Sequence, residues 1–206
     1  MKLGVAAAAA ALLVGAQAAT ASAALPAPAG AATAAAHRIA HRLSGWTRLK
    51  SATIQGDRRC VPFEHDGQLA HATLVFESRN AATPGLSVAA AVSVYRNRAA
   101  ARRALAESAS PAWQRCTRAY FARMVRPQGL GVTARDGVAA WARPPAGSRA
   151  VAEHLVARLE SGAGALWNST YELEDTHDPR VVYGFSLAGE RPIPQSLVRS
   201  LLALAG

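Results

Sequence analysis

Residues 86–95 constrain the fold more than any other stretch. Leu86, Val88, Ala90, Val92 and Val94 alternate with Ser87, Ala89, Ala91, Ser93 and Tyr95, and a period of two marks a strand with one strongly apolar face. The pattern then changes. Asn97 can cap a helix by accepting a free backbone N–H, and residues 98–108 carry a narrow stripe of Ala101, Ala104 and Leu105. Ser110 and Pro111 restart the helix, serine as cap and proline preset for the first turn. Trp113, Cys116, Thr117, Tyr120, Phe121 and Met124 follow at helical spacing on one face, a stripe that reads first as core.

The elements on either side follow from the same rules. In residues 71–78, Leu74 and Phe76 share one face and Val75 and Glu77 the other. The connection RNAATPG at 79–85 is rich in turn formers, so this strand and the next form an antiparallel hairpin. Weak strands fill 129–145, broken by Gly131, Gly137, Pro144 and Pro145. Residues 151–160 fit a helix through Val151, Leu155 and Leu159, or a strand through Leu155, Ala157 and Leu159. The strand is preferred because strands follow, at 166–174 and 181–187, around a hairpin turn from Asp175 to Pro179. A helix closes the chain at 194–205, with Leu197, Val198, Leu201, Leu204 and Ala205 on one side.

The first residues set the compartment. Lys2 is a short positive region, residues 3–16 are all apolar or small, and Ala21-Ser22-Ala23 is the small-residue pattern a signal peptidase requires. The run is shorter than the about 20 residues of a spanning helix, and no cysteine near it can carry a lipid. Residues 1–23 are therefore expected to be a signal peptide cleaved near Ala23, placing the protein outside the cell or in the envelope. Residues 24–36 are Ala/Pro-rich and read as a flexible arm. A short helix fits 34–43, ended by Ser44 and Gly45, and one domain is expected over 37–206. Two cysteines in an oxidising compartment pair, so a Cys60–Cys116 disulfide is expected, worth roughly 4 kcal/mol on the chain-entropy model.

Net charge is +10, almost all of it arginine, since Lys2 and Lys50 are the only lysines. Arg96, Arg98, Arg102, Arg103, Arg115, Arg118, Arg123 and Arg126 face a single acid, Glu107, in their stretch, whereas Glu172, Glu174, Asp175 and Asp178 form an acidic stretch without a base. Such a basic surface suits an anionic envelope ligand or polymer, and it also fits solvated helix faces. Arg115, Arg118 and Tyr120 are the candidate ligand-binding residues. No nucleic-acid module is visible, and an exported chain has little occasion to meet nucleic acid.

Several motifs come close to known chemistry without completing it. His37 and His41 have the i, i+4 spacing of a zinc-protease helix, but Arg38 stands where its glutamate belongs. Gly184-Phe185-Ser186-Leu187-Ala188 nearly matches a nucleophile elbow, but Ala188 replaces its second glycine and no histidine follows. His154 or His177 would have to serve as base, at no diagnostic spacing. The acids at 172–178 lack the alternating oxygens and central glycine of a calcium loop. Alternation puts Glu172 and Glu174 on one face with Asp178 in the turn, and the group reads as a solvated hairpin tip. Asn168-Ser169-Thr170 is a glycosylation acceptor only in a eukaryotic secretory route, and the composition is that of a GC-rich bacterium. No catalytic residue, metal site or cofactor is assigned.

Val92-Ser93-Val94-Tyr95-Arg96-Asn97, the alanines at 99–101, Ala104-Leu105 and Trp113-Gln114-Arg115-Cys116, with Leu43-Ser44-Gly45-Trp46 upstream, resemble exported sensor-like domains of actinobacteria. That group is similar to the extracellular sensor domain of a mycobacterial receptor serine/threonine kinase. The likeness is specific over 88–116 and extends in layout over 40–205. It departs in having cysteines for one disulfide rather than two, and no kinase domain. The resemblance implies an α+β fold, a twisted antiparallel sheet with helices packed on one face, and a cleft between the sheet and the helices of 97–124. The expected function is a secreted, non-catalytic sensor-like or ligand-binding domain at the cell envelope. The alternatives are an envelope hydrolase or metal-dependent enzyme with a dispersed site, and a protein-interaction module without a small ligand.

Overall fold

The computed structural model describes residues 26–49, 67–80, 83, 85–128, 130–134, 150–159 and 165–206. Its elements in chain order are α1 (Pro28–Arg42), β1 (Thr47–Arg48), β2 (Gln68–Glu77), β3 (Ser87–Tyr95), α2 (Arg98–Ser108), α3 (Pro111–Val125), β4 (Leu130–Ala134), β5 (Ala150–Leu159), β6 (Ala165–Glu174), β7 (Val181–Gly189) and α4 (Gln195–Leu202). Short 3-10 turns extend α3 at Arg126–Gln128 and α4 at Ala203–Ala205. The fold is α+β. All strands join one antiparallel sheet in the order β1-β2-β3-β7-β6-β5-β4.

β3 lies inside this sheet between β2 and β7, and Val92 pairs with Ala72 on one side and Tyr183 on the other. Its apolar set, Val88, Ala90, Val92 and Val94, joins Leu74 and Phe76 of β2, Tyr171 and Leu173 of β6, and Val181, Tyr183, Phe185 and Leu187 of β7. α1 covers that face with Ala31, Ala32, Ala35, Ile39 and Leu43, and α4 with Val198, Leu201 and Leu202. Fully burying a side chain the size of Ile39 is worth about 1.5–3 kcal/mol, so α1 is part of the main core.

The helices occupy both faces of the sheet, not one. Tyr95 and Val182 point away from α1 and pack under Ala100, Ala101, Ala104 and Leu105 of α2. Phe121 of α3 packs on Leu155, Ala157 and Leu166 on that second side. The reason lies in strand alternation: the second-face residues of β3 are Ala and Ser except for Tyr95, and that one large side chain, with Val182 beside it, is what α2 covers. The helix starts follow local chemistry. Asn97 accepts from the Ala100 N–H at 2.9 Å and Ser110 from the Trp113 N–H at 3.2 Å.

α1 begins at Pro28, with proline in its first turn, well before the helix expected from residue 34. Residues 28–36, read from composition as part of a flexible arm, carry Ala31, Ala32 and Ala35 into the core. Alanine there signals close helix-to-sheet approach. Residues 151–159 are a strand, as preferred. The signal peptide, Cys60 and the strands expected beyond residue 134 up to 145 lie outside the described residues. No helix among the described residues is long and apolar enough to cross a membrane.

Candidate functional site

The end of the β6–β7 hairpin is not a solvated acidic tip. Glu174 and Asp175 are 1% and 2% exposed, and the isolated burial of a carboxylate is prohibitive unless it is paired. Both are paired. Glu174 accepts from Arg98 Nε at 2.7 Å and from Arg102 Nε at 3.2 Å, so α2 is tied to the sheet's second face. Asp175 Oδ2 accepts from Arg38 at 2.9 Å and from the Tyr183 hydroxyl at 3.0 Å, while Oδ1 takes the backbone N–H groups of His177 at 2.8 Å and Asp178 at 3.2 Å. Arg38 also bonds the Tyr183 hydroxyl. Burial, with the Asp175 charge adding to it, pushes the Tyr183 phenol up to about 12. Asp178 does sit in the turn, where the Arg180 guanidinium, bonded at 2.8 and 3.0 Å, holds its carboxyl below the usual range.

Glu172 lies on the Glu174 side of the sheet, opposite Gly184. Burial raises its carboxyl, and a hydrogen bond with Ser108 of α2 works against that rise. Further along the same face His71 and Ser93 are cross-strand partners. The His71 imidazole reaches Ser93 Oγ through Nδ1 at 3.1 Å and Thr73 Oγ1 through Nε2 at 2.9 Å. Desolvation lowers its pKa, and both ring nitrogens are engaged.

The three candidate ligand residues lie on α3, where they do not converge. At 3.6 residues per turn Arg115 and Arg118 stand about 60° apart, while Tyr120 is about 140° from Arg115 and on the other side of the helix from Arg118. Arg115 is exposed; Arg118 and Tyr120 are half-buried. Cys116 is half-buried on α3, and its expected partner Cys60 lies outside the described residues. Ser186 sits within β7, not in the sharp turn an elbow requires, and its Oγ accepts from Asn168 Nδ2 at 3.3 Å.

A broad open depression of about 610 Å³ lies along the last turns of α1, lined by His37, Arg38, His41 and Arg42 with Leu204. Residues 37, 38, 41 and 42 share one helix face. Among the described residues that line it there is no carboxylate. Arg38 is held from behind by Asp175, so its guanidinium is oriented. Cations at a helix C-terminus also complement the negative end of the macrodipole. The i, i+4 histidines were visible in the sequence as a metal motif, whereas the informative signal was the arginine following each of them. Among the described residues no three His, Cys, Asp or Glu side chains converge as a metal site. No protein-family model matches the chain, and no curated protein matches it.

Proposed function

We propose that this chain is an exported, non-catalytic, sensor-like domain that binds an anionic ligand at the cell envelope. The observation that carries the reading is the α1 depression, where His37, Arg38, His41 and Arg42 surround one open volume, with Asp175 pairing Arg38 from behind and no acid among the described lining residues. A phosphate- or carboxylate-bearing envelope component satisfies that charge, and arginine is suited to it because its planar fork meets such groups in two bonds. Arg115 and Arg118 lie on α3, across the sheet from this depression, and form no part of it. Export rests on the leader of residues 1–23, and the sensor-like design on the resemblance over 88–116.

The Cys60–Cys116 disulfide belongs to the same proposal. It is supported by the exported context and by the lack of a free thiol among the described residues. Alkylation before and after reduction tests it: the bridge requires both cysteines to resist the reagent until reductant is added.

The deciding experiment is native mass spectrometry of the mature protein purified from its own culture medium. The expected spectrum shows an N-terminus near Ala23 and a reproducible extra mass that high salt removes. In Arg42→Glu that mass is lost. A bare polypeptide mass, together with an Arg42→Glu protein that binds anionic vesicles as well as the parent, overturns the reading.

A further inference from the structure

A second cavity, of about 230 Å³, opens at the start of α4 on the face that carries α1. Trp167 and Ser169 are in step with Tyr171 and Leu173, which belong to the α1 core, so the period of two directs them to the same side. Pro192, Ile193 and Gln195 form the opposite wall. Leu155 and Asn168 contribute from the strand floor, and the Asn168 amide turns to the other face to meet Ser186.

We propose that this cavity binds one uncharged pyranose ring. Three properties lead there. The volume falls below the roughly 300–1,000 Å³ of pockets for drug-sized ligands, which leaves room for a single ring. Among the described residues no ionisable side chain lines it, although the chain carries a net charge of +10, and a charged ligand would find no partner among them to offset its desolvation. A hydrocarbon is also disfavoured, because it would strip water from the Gln195 amide, which no described residue engages, and return no hydrogen bond. A pyranose meets both demands. Its C–H face lies on an amphipathic indole such as Trp167, and its rim of hydroxyls matches an amide that both donates and accepts. The site is separate from the anionic one: Gln195 begins α4, while Leu204 lies beyond its end.

The test follows the indole N–H signals of the four tryptophans by ¹H–¹⁵N NMR of the full mature chain, with Trp167→Phe identifying the Trp167 signal. The probes are the methyl glycosides of glucose, mannose, galactose and N-acetylglucosamine, with inorganic phosphate and cyclohexanol as controls. The expected result is a saturable shift of the Trp167 signal with at least one glycoside and none with either control. Gln195→Ala, at an exposed position, then weakens that glycoside between roughly two- and tenfold while the other indole signals keep their positions. No saturable shift with any glycoside overturns the proposal. So does cyclohexanol binding as tightly as the best sugar, or a Gln195→Ala protein that binds it unchanged.

Discussion

Arg38 and Asp175 stand 137 residues apart in sequence and 2.9 Å apart in space. The pair fastens α1 to the β6–β7 hairpin, and the Thr176 N–H, donating to the Ala205 carbonyl at 2.8 Å, fastens the end of the chain to the same turn. The two partners are unequal. Asp175 is buried and accepts four hydrogen bonds, whereas Arg38 is 47% exposed. Asp175→Ala is therefore expected to cost about 3 kcal/mol, because it orphans two buried-side donors and opens the turn. Arg38→Ala is expected to cost about 1 kcal/mol, water taking up the exposed end. Urea unfolding of the two variants measures both; equal losses would contradict the account.

Glu174 has two arginines and needs one of them. Removing Arg98 or Arg102 alone is expected to cost below about 1 kcal/mol, since both are partly exposed and the other remains. Removing both leaves a buried carboxylate unpaired, and the expected loss rises to about 3 kcal/mol, more than the sum. A double-mutant cycle by denaturant unfolding reads this directly. An additive result would mean that neither arginine neutralises the carboxylate.

These ion pairs also show where the sequence was legible and where it was not. Periodicity located β3, α2 and α3, and the caps at Asn97 and Ser110 lie where they were expected, because those signals are local. The pairing of Arg98 and Arg102 with Glu174 was invisible, although both halves of the charge imbalance were plain in the sequence. It depends on β7 entering the sheet between β3 and β6, which no local rule specifies. Alanine misled in one place: in residues 28–36 it looked like low complexity and proved to be a core face. The α3 candidates diverge around their helix for a simpler reason: Tyr120 belongs to the apolar stripe and the arginines do not.

The packing of α1 makes a direct prediction. Ala35 is fully buried and Ala34 exposed, one residue apart on the same helix. Ala35→Asp places an unpaired charge in the main core and is expected to cost about 3 kcal/mol or more. Ala34→Asp faces solvent and is expected to stay within about 0.5 kcal/mol. Thermal unfolding of the two proteins separates a packed helix from an appended arm. If both melt with the parent, residues 28–36 contribute nothing to the core.

Glu172 gives stability a pH dependence of known sign. Its ordinary pKa is 4.5, and burial raises it in the native state. Between 4.5 and the raised value the unfolded chain has released the proton while the native chain keeps it. The native state then binds more protons, and stability falls as pH rises through that interval. His71 acts in the opposite sense. Its imidazole is lowered from 6.5 by desolvation, so acidification below 6.5 protonates the unfolded state first and destabilises the fold. The two contributions are separated by Glu172→Gln, which keeps the shape of the side chain and can still bond Ser108. Urea unfolding from pH 4.5 to 8 is expected to show Glu172→Gln gaining on the parent as pH rises from 4.5 to the raised value and keeping that gain above it, with the remaining slope below 6.5 left to His71. Parallel curves across the range would mean that the Glu172 carboxyl titrates alike in both states, and that its burial beneath α2 carries no cost.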